Sequence, residues 1–238
     1  NMTKLSVNIN KVATIRNARG NNVPNVLKVA LDIEKFGADG ITVHPRPDER
    51  HIRYADVFDL ANEVTTEFNV EGYPNKKFMD LVLSTKPHQV TLVPDPPEVL
   101  TSNAGWKIKN NLSLLQESLA EFKKAGIRTS VFMEANLKDI EELALIDVDR
   151  AELYTESYAS GYQKKREEAI APFMDAAKLA SEMGVGLNAG HDLSLENLKY
   201  FSDSIPNLLE VSIGHAFVAD ALYYGFEKTV GMYKNLLK

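Results

Sequence analysis

Short β-branched runs alternate with stretches of helical spacing from one end of the chain to the other, the pattern of parallel βα units. Eight units are legible, with strands predicted at 4–9, 40–43, 68–71, 89–93, 128–133, 150–153, 186–188 and 209–213. Their brevity fits the buried strands of a barrel. Val26, Val29, Ala30 and Ile33 recur at helical spacing, as do Leu112, Leu115, Leu119 and Phe122. Gly37, Gly126 and Gly184 stand where a helix must stop before the next strand, and glycine tolerates the left-handed backbone used there. The expected fold is therefore a (β/α)8 TIM barrel. No linker or low-complexity segment divides the chain, and its 238 residues approach the roughly 250 of one such barrel, so a single domain over 2–238 is expected. Asn1, ahead of Met2, reads as an expression remnant. Two long irregular connections are predicted, at 94–111 and about 154–165, lengths that in barrels serve as lids or ligand contacts.

Composition narrows the function classes. With 44% hydrophobic and 25% charged residues the chain can build a packed core, which excludes disorder, collagen and coiled coil. Lys plus Arg total 27 against 33 Asp plus Glu, a net charge of -6 that disfavours nucleic acid as a partner. Any phosphate must be held by a local site. The absence of cysteine removes disulfides, thiolate metal sites and thiol nucleophiles. No apolar run approaches the roughly 20 residues that span a bilayer, so no membrane partner and a cytoplasmic location are expected.

In a (β/α)8 barrel the chemistry sits at the carboxyl ends of the strands, which gives a position test. His44, His51, His191 and His215 lie at or just beyond predicted strand ends, whereas His88 precedes a strand and reads as structural. A lone histidine is more often a structural hydrogen-bonder, but four converging on one rim point to proton transfer. Glu71 and Glu152 fall within otherwise apolar strands, where desolvation raises a carboxyl pKa and makes it a usable base or acid; a core ion pair is the plainer alternative for Glu152. Glu134, after the fifth strand, is a weaker candidate of the same kind.

Anion-binding features surround these groups. The segment 8–20 reads as a polar loop leaving the first strand, with Arg19 beside Gly20 able to grip a phosphate and Arg16 either a second contact or a solvated cation. His44-Pro45-Arg46-Pro47-Asp48-Glu49-Arg50-His51 packs two histidines and two arginines into a stiffened loop. Asn188-Ala189-Gly190-His191 and Ile213-Gly214-His215-Ala216 each place a glycine between a strand and an expected helix start, where barrels often bind phosphate. Together these features point to more than one phosphate. A metal held by His44, Glu71 and His191 is disfavoured by the neighbouring arginines, and no HExxH, nucleotide-binding glycine loop or GxSxG elbow occurs, so neither metal nor cofactor is expected.

Across essentially its whole length the chain resembles the pyridoxine 5'-phosphate synthase family, most specifically at 7–9, 13–20, 37–44, Arg50-His51-Ile52, 188–191 and 213–216. The resemblance implies a barrel enzyme that condenses 1-deoxy-D-xylulose 5-phosphate with 3-amino-2-oxopropyl phosphate, releasing inorganic phosphate and water without redox cofactor or metal. It implies His44 and Glu71 as general bases, His191 as proton donor and Glu152 as support for charged intermediates. Asn8, Asn10, Lys11, Arg19, Arg46, His51, Thr101, Asp192, Gly214 and His215 are implied substrate and phosphate contacts, with Thr101 on a lid. The family pattern has Asp-His where this chain has Asn10-Lys11, and Gly where it has Asp192. A homo-octamer is the family expectation. A one-substrate phosphosugar epimerase or isomerase, and a phosphate-ligand binding barrel without turnover, are the alternatives.

Overall fold

The computed structural model describes residues 2–94 and 104–237. Eight parallel strands close into one barrel in sequence order: β1 (Lys4–Asn8), β2 (Gly40–Val43), β3 (Glu67–Gly72), β4 (Gln89–Leu92), β5 (Arg128–Met133), β6 (Arg150–Tyr154), β7 (Gly186–Gly190) and β8 (Leu208–Ile213). The ring closes where Leu5 and Val7 of β1 pair with Val211 and Ile213 of β8. Around it run α1 (Asn10–Arg19), α2 (Val26–Lys35), α3 (Tyr54–Glu63), α4 (Lys76–Thr85), α5 (Leu112–Lys124), α6 (Leu137–Glu141), α7 (Glu156–Glu182), α8 (Leu198–Ser204), α9 (His215–Tyr224) and α10 (Phe226–Asn235). Gly37, Gly126 and Gly184 adopt the positive φ that their positions before strands required. No helix of the described residues is long and apolar enough to cross a membrane.

Strand alternation divides the core in two. The outward row, with Val7, Ile41, Val70, Leu92, Val131, Leu153, Ala189 and Val211, is fully buried beneath the helices and forms the apolar core. The inward row is polar rather than the bulky aliphatic filling usual in such barrels. Ser6 and Thr42 hydroxyls lie 2.7 Å apart, Asn69 bonds Thr42 and Thr91, and Gln89 of β4 reaches Asn69, Asn188 of β7 and Glu210 of β8. Bonds between strands so far apart in the ring cross the lumen. At its amino-terminal mouth Glu67 takes two hydrogen bonds from Arg128 and one from Lys4. Burial works against the Glu67 charge, but these partners hold its pKa at about 2.

Three expectations about connections are corrected. The segment predicted as a polar loop from Asn8 is helix α1 from Asn10 onward, with Gly20 as its left-handed stop. The connection predicted at 154–165 is the start of the 27-residue α7, which breaks from helical geometry only at Lys165. No helix starts directly after β7: the chain turns through Ser194–Asn197 and α8 begins at Leu198. Asn1, Thr101 and the rest of 95–103 in the long connection after β4 lie outside the described residues.

Candidate active site

The carboxyl ends of the strands surround a cleft of about 540 Å³. Its lining brings together Asn8, Asn10, Lys11, His44, Arg46, His51, Glu71, Glu152, His191, Asp192, Gly214 and His215, all drawn from the sequence-derived set. Arg19 is not among them. Asn10 lines the cleft at the first residue of α1, so Arg19, nine residues on, lies roughly 13 Å further along the helix axis, exposed at the far end. Arg16, one of the two cations weighed in that segment, is buried at 2% exposure and grips Asp56 through both terminal nitrogens, at 2.6 and 2.8 Å. It is a tether rather than a ligand contact: its Nη2 also donates to the His51 carbonyl, which Asn17 Nδ2 reaches at 2.8 Å. Helix α1 thereby fixes the loop after β2 that carries Arg46, Arg50 and His51. Sequence reasoning did not single out Thr14 or Ser212, and left Arg50 uncommitted, although all three line the cleft.

His44, His51 and His191 each have an identifiable support. Asn10 Oδ1 accepts the His44 backbone N–H at 2.9 Å, and Asn8 Oδ1 accepts the Asn10 N–H, so the two asparagines after β1 clamp the end of β2. His51 Nδ1 accepts the Ile52 N–H at 2.8 Å, which puts the proton of the neutral ring on Nε2. The His191 ring packs against Phe132 and Tyr154, with centroids 5.2 and 5.1 Å away. His191 and Asp192 hold φ of 83° and 58°, a left-handed backbone that aspartate tolerates better than most residues. The buried Thr155 hydroxyl hydrogen-bonds the carbonyls of Gly190 and His191 and locks this turn. Gly214 is pressed against Asn8, and a Cβ there would lie 3.1 Å from the Asn8 side chain. Helix α9 starts at His215 immediately beyond it, as expected for an anion-binding end.

Charge is mixed along the cleft. Lys11 and Arg50 are its more accessible cations, whereas Arg46, at 5% exposure, is as buried as Glu71 and Glu152, at 6% and 4%. Burial and then Arg46, with His51, His191 and Arg50 adding, hold His44 well below the usual histidine range. Burial and the cations Arg46, Arg50 and Lys11 bring His51 down to about 4. Both rings are therefore neutral at pH 7 and able to accept a proton. Burial, reinforced by Glu210, raises Glu71 to about 7. Glu152 is pushed well above the carboxylate range by burial, then by Glu71 and Glu210, and among the described residues its Oε2 has no hydrogen-bond partner. The two carboxyls thus differ in proton occupancy near neutral pH, the arrangement that pairs an acid with a base. His88 lies outside the cleft, and its Nδ1 accepts the Phe68 N–H at 3.0 Å. Among the described residues no group of three His, Asp or Glu side chains is arranged to hold a metal ion.

Fold and site together define a (β/α)8 barrel with a cationic mouth and an acid/base interior. The family model described as Pyridoxal phosphate biosynthesis protein PdxJ matches residues 5–238, and the chain belongs to this family. Proteins named pyridoxine 5'-phosphate synthase are 64% identical in Bacteroides thetaiotaomicron and 65% identical in Bacteroides fragilis, each over 237 residues and 100% of both chains. One from Flavobacterium johnsoniae is 56% identical over the same span. Among solved structures, 3-keto-L-gulonate-6-phosphate decarboxylase from Vibrio cholerae superposes with TM-score 0.67 at 8% identity, covering 100% of this chain and 98% of its own. Phosphoribosyl anthranilate isomerase from Thermotoga maritima gives 0.61 at 15% identity, covering 99% and 98%. These two share the barrel.

Proposed function

We propose that the chain condenses 1-deoxy-D-xylulose 5-phosphate with 3-amino-2-oxopropyl phosphate, giving pyridoxine 5'-phosphate, inorganic phosphate and water. The observation that carries the reading is the convergence of His44, Glu71, Glu152 and His191 in one cleft whose mouth is lined by Lys11, Arg46 and Arg50. The cations hold two phosphorylated substrates that the net charge of -6 would repel. The substrate amine attacks the pentulose ketone, phosphate is eliminated, water adds, and an aldol-type closure followed by dehydration forms the aromatic ring. Every stage moves a proton.

His44, neutral beside Arg46, and Glu71, half ionised near pH 7, are the bases that remove protons from carbon and nitrogen. His191 delivers the proton that lets hydroxyl leave, held on the backbone turn that Thr155 fixes. Glu152 faces the cationic intermediates from the floor of the cleft. Asn8, Asn10, Lys11, Arg46, His51, Asp192, Gly214 and His215 contact substrate and phosphate on the same reading, and Thr101 does so from outside the described residues. The test is product formation from both purified phosphates, followed by the pyridine chromophore. Wild type makes product only with both substrates, and His191→Ala loses turnover while still binding phosphate. Turnover of either substrate alone would replace this reading with a phosphosugar isomerase.

The same reading makes the chain a cytoplasmic homo-octamer. Leu222 and Tyr223 on α9, 75% and 89% exposed, supply apolar surface for an assembly contact. Light scattering at the mass of one chain would remove that assignment.

A further inference from the structure

The lumen contains one buried carboxyl that the reaction above does not use. Glu210 lies mid-strand on β8, 4% exposed, with its Cα opposite Asn188 of β7 and Lys4 of β1. Asn188 is also the Cα partner of Glu152, so Glu152 and Glu210 flank one strand, roughly 10 Å apart at Cα, with both side chains in the lumen. The Glu210 carboxyl takes one hydrogen bond, from Gln89 Nε2 at 3.4 Å, and among the described residues it has no ion pair. The same Gln89 Nε2 donates to Asn69, which sits one inward position below Glu71 on β3.

The groups facing Glu210 come from every neighbouring element, and its possible counter-ions are engaged elsewhere. Arg128 of β5 bonds Glu67 and Gln89, Arg150 of β6 donates to Asn188, and the Lys4 ammonium pairs with Glu67. Glu71 of β3 and Glu152 of β6 complete the set. We propose that Glu210 is a positioning residue, a third lumen carboxyl that shares protons with Glu71 and Glu152 and sets the charge on Glu71 before substrate arrives. Burial raises Glu210 to about 7 against the pull of Arg150 and Arg128, the value Glu71 also reaches. Two carboxyls titrating together in one lumen lose their protons in two steps that belong to the pair.

The kinetic consequence rests on Glu71 acting as a base; the coupling does not. The experiment is an infrared titration of the protonated-carboxyl band in wild type, Glu210→Gln and Glu71→Gln. Wild type loses the band in overlapping steps around neutrality, whereas in each variant the step of the remaining member of the Glu71–Glu210 pair is shifted down by about one pH unit, the size of a like-charge interaction inside a protein. The acid limb of kcat/KM moves down with it in Glu210→Gln and stays in place in Glu210→Asp. If Glu210→Gln does not fold, Glu71→Gln reports the same coupling reciprocally. A Glu210 step in Glu71→Gln at the wild-type position overturns the proposal. Coupling in the infrared with an unmoved kcat/KM limb upholds it and removes Glu71 from the role of base.

Discussion

Replacing Glu71 by Gln should cut turnover sharply and stabilise the fold, and the gain should appear only at higher pH. Burial raises the carboxyl from its ordinary 4.5 to about 7, so the folded protein prefers it protonated. The unfolded chain releases that proton first as pH rises from 4.5, and wild type loses stability until the folded carboxyl also ionises. The full shift of about 2.5 units corresponds to about 3 kcal/mol above pH 8, of which about 2.5 kcal/mol develops between pH 5 and pH 8. Glutamine is neutral throughout, so the variant escapes this loss, and comparing the two pH values cancels the fixed cost of burying an amide. For a chain of this size the Tm advantage of Glu71→Gln over wild type should be about 5 to 10 °C larger at pH 8 than at pH 5. Turnover should fall by about 10²- to 10⁴-fold, the range for losing a general base. Thermal melts at both pH values, read beside the product assay, make the test. An advantage equal at the two pH values would mean that residue 71 carries no elevated carboxyl, and the charge distribution of the site would have to be redrawn.

Three further outcomes are expected. In Gly190→Ala the new Cβ would lie 2.7 Å from Glu152 Oε1 and must displace that carboxyl, so kcat should drop at least tenfold while Tm moves by only a few degrees; an unaltered kcat would show that the Glu152 position is not critical. Arg16→Met breaks the buried clamp on Asp56 and frees the loop carrying His51, costing about 3 kcal/mol in urea unfolding and raising KM, and unchanged KM would separate that clamp from the cleft. Inorganic phosphate bound among Lys11, Arg46 and Arg50 should raise the His51 pKa from about 4 by a unit or more in an NMR titration, because it neutralises the cations that depress it; no movement would place phosphate elsewhere.

The barrel was legible because its signals are local. The outward strand faces are continuous apolar rows, and Gly37, Gly126 and Gly184 mark the helix stops with the backbone only glycine adopts easily. All eight strands fall within two residues of their predicted ends. The candidate site was legible because strand ends converge in this fold, which put His44, Glu71, Glu152 and His191 on one rim before any geometry was known. What failed depended on partners distant in sequence. Arg16 and Arg19 look alike as cations near a glycine, but helical phase turns Arg16 inward onto Asp56 and carries Arg19 away from the cleft. Ser212 and Glu210 were not singled out because they alternate with apolar residues along β8, the pattern of a strand with one solvated face, and here that face is the lumen. Their meaning rests on bonds such as Gln89 to Glu210, across 121 residues of sequence.

The polar lumen also explains how a chain of net charge -6 can bind anions without a basic surface. Burial, with Arg46 and Arg50 adding, depresses His44 and His51, and burial, with Glu210 adding, raises Glu71 and Glu152, so both sets of groups are shifted toward their neutral forms. An empty cleft therefore holds both proton acceptors and proton holders. A phosphate dianion on Arg46 and Arg50 would offset the part of the first shift that those cations contribute and leave the part due to burial. The second shift, set by burial and by Glu210, is left in place. Binding would then make the histidines more basic while Glu71 and Glu152 keep the proton affinities that burial sets, so a phosphorylated ligand itself adjusts the acid/base balance of the cleft.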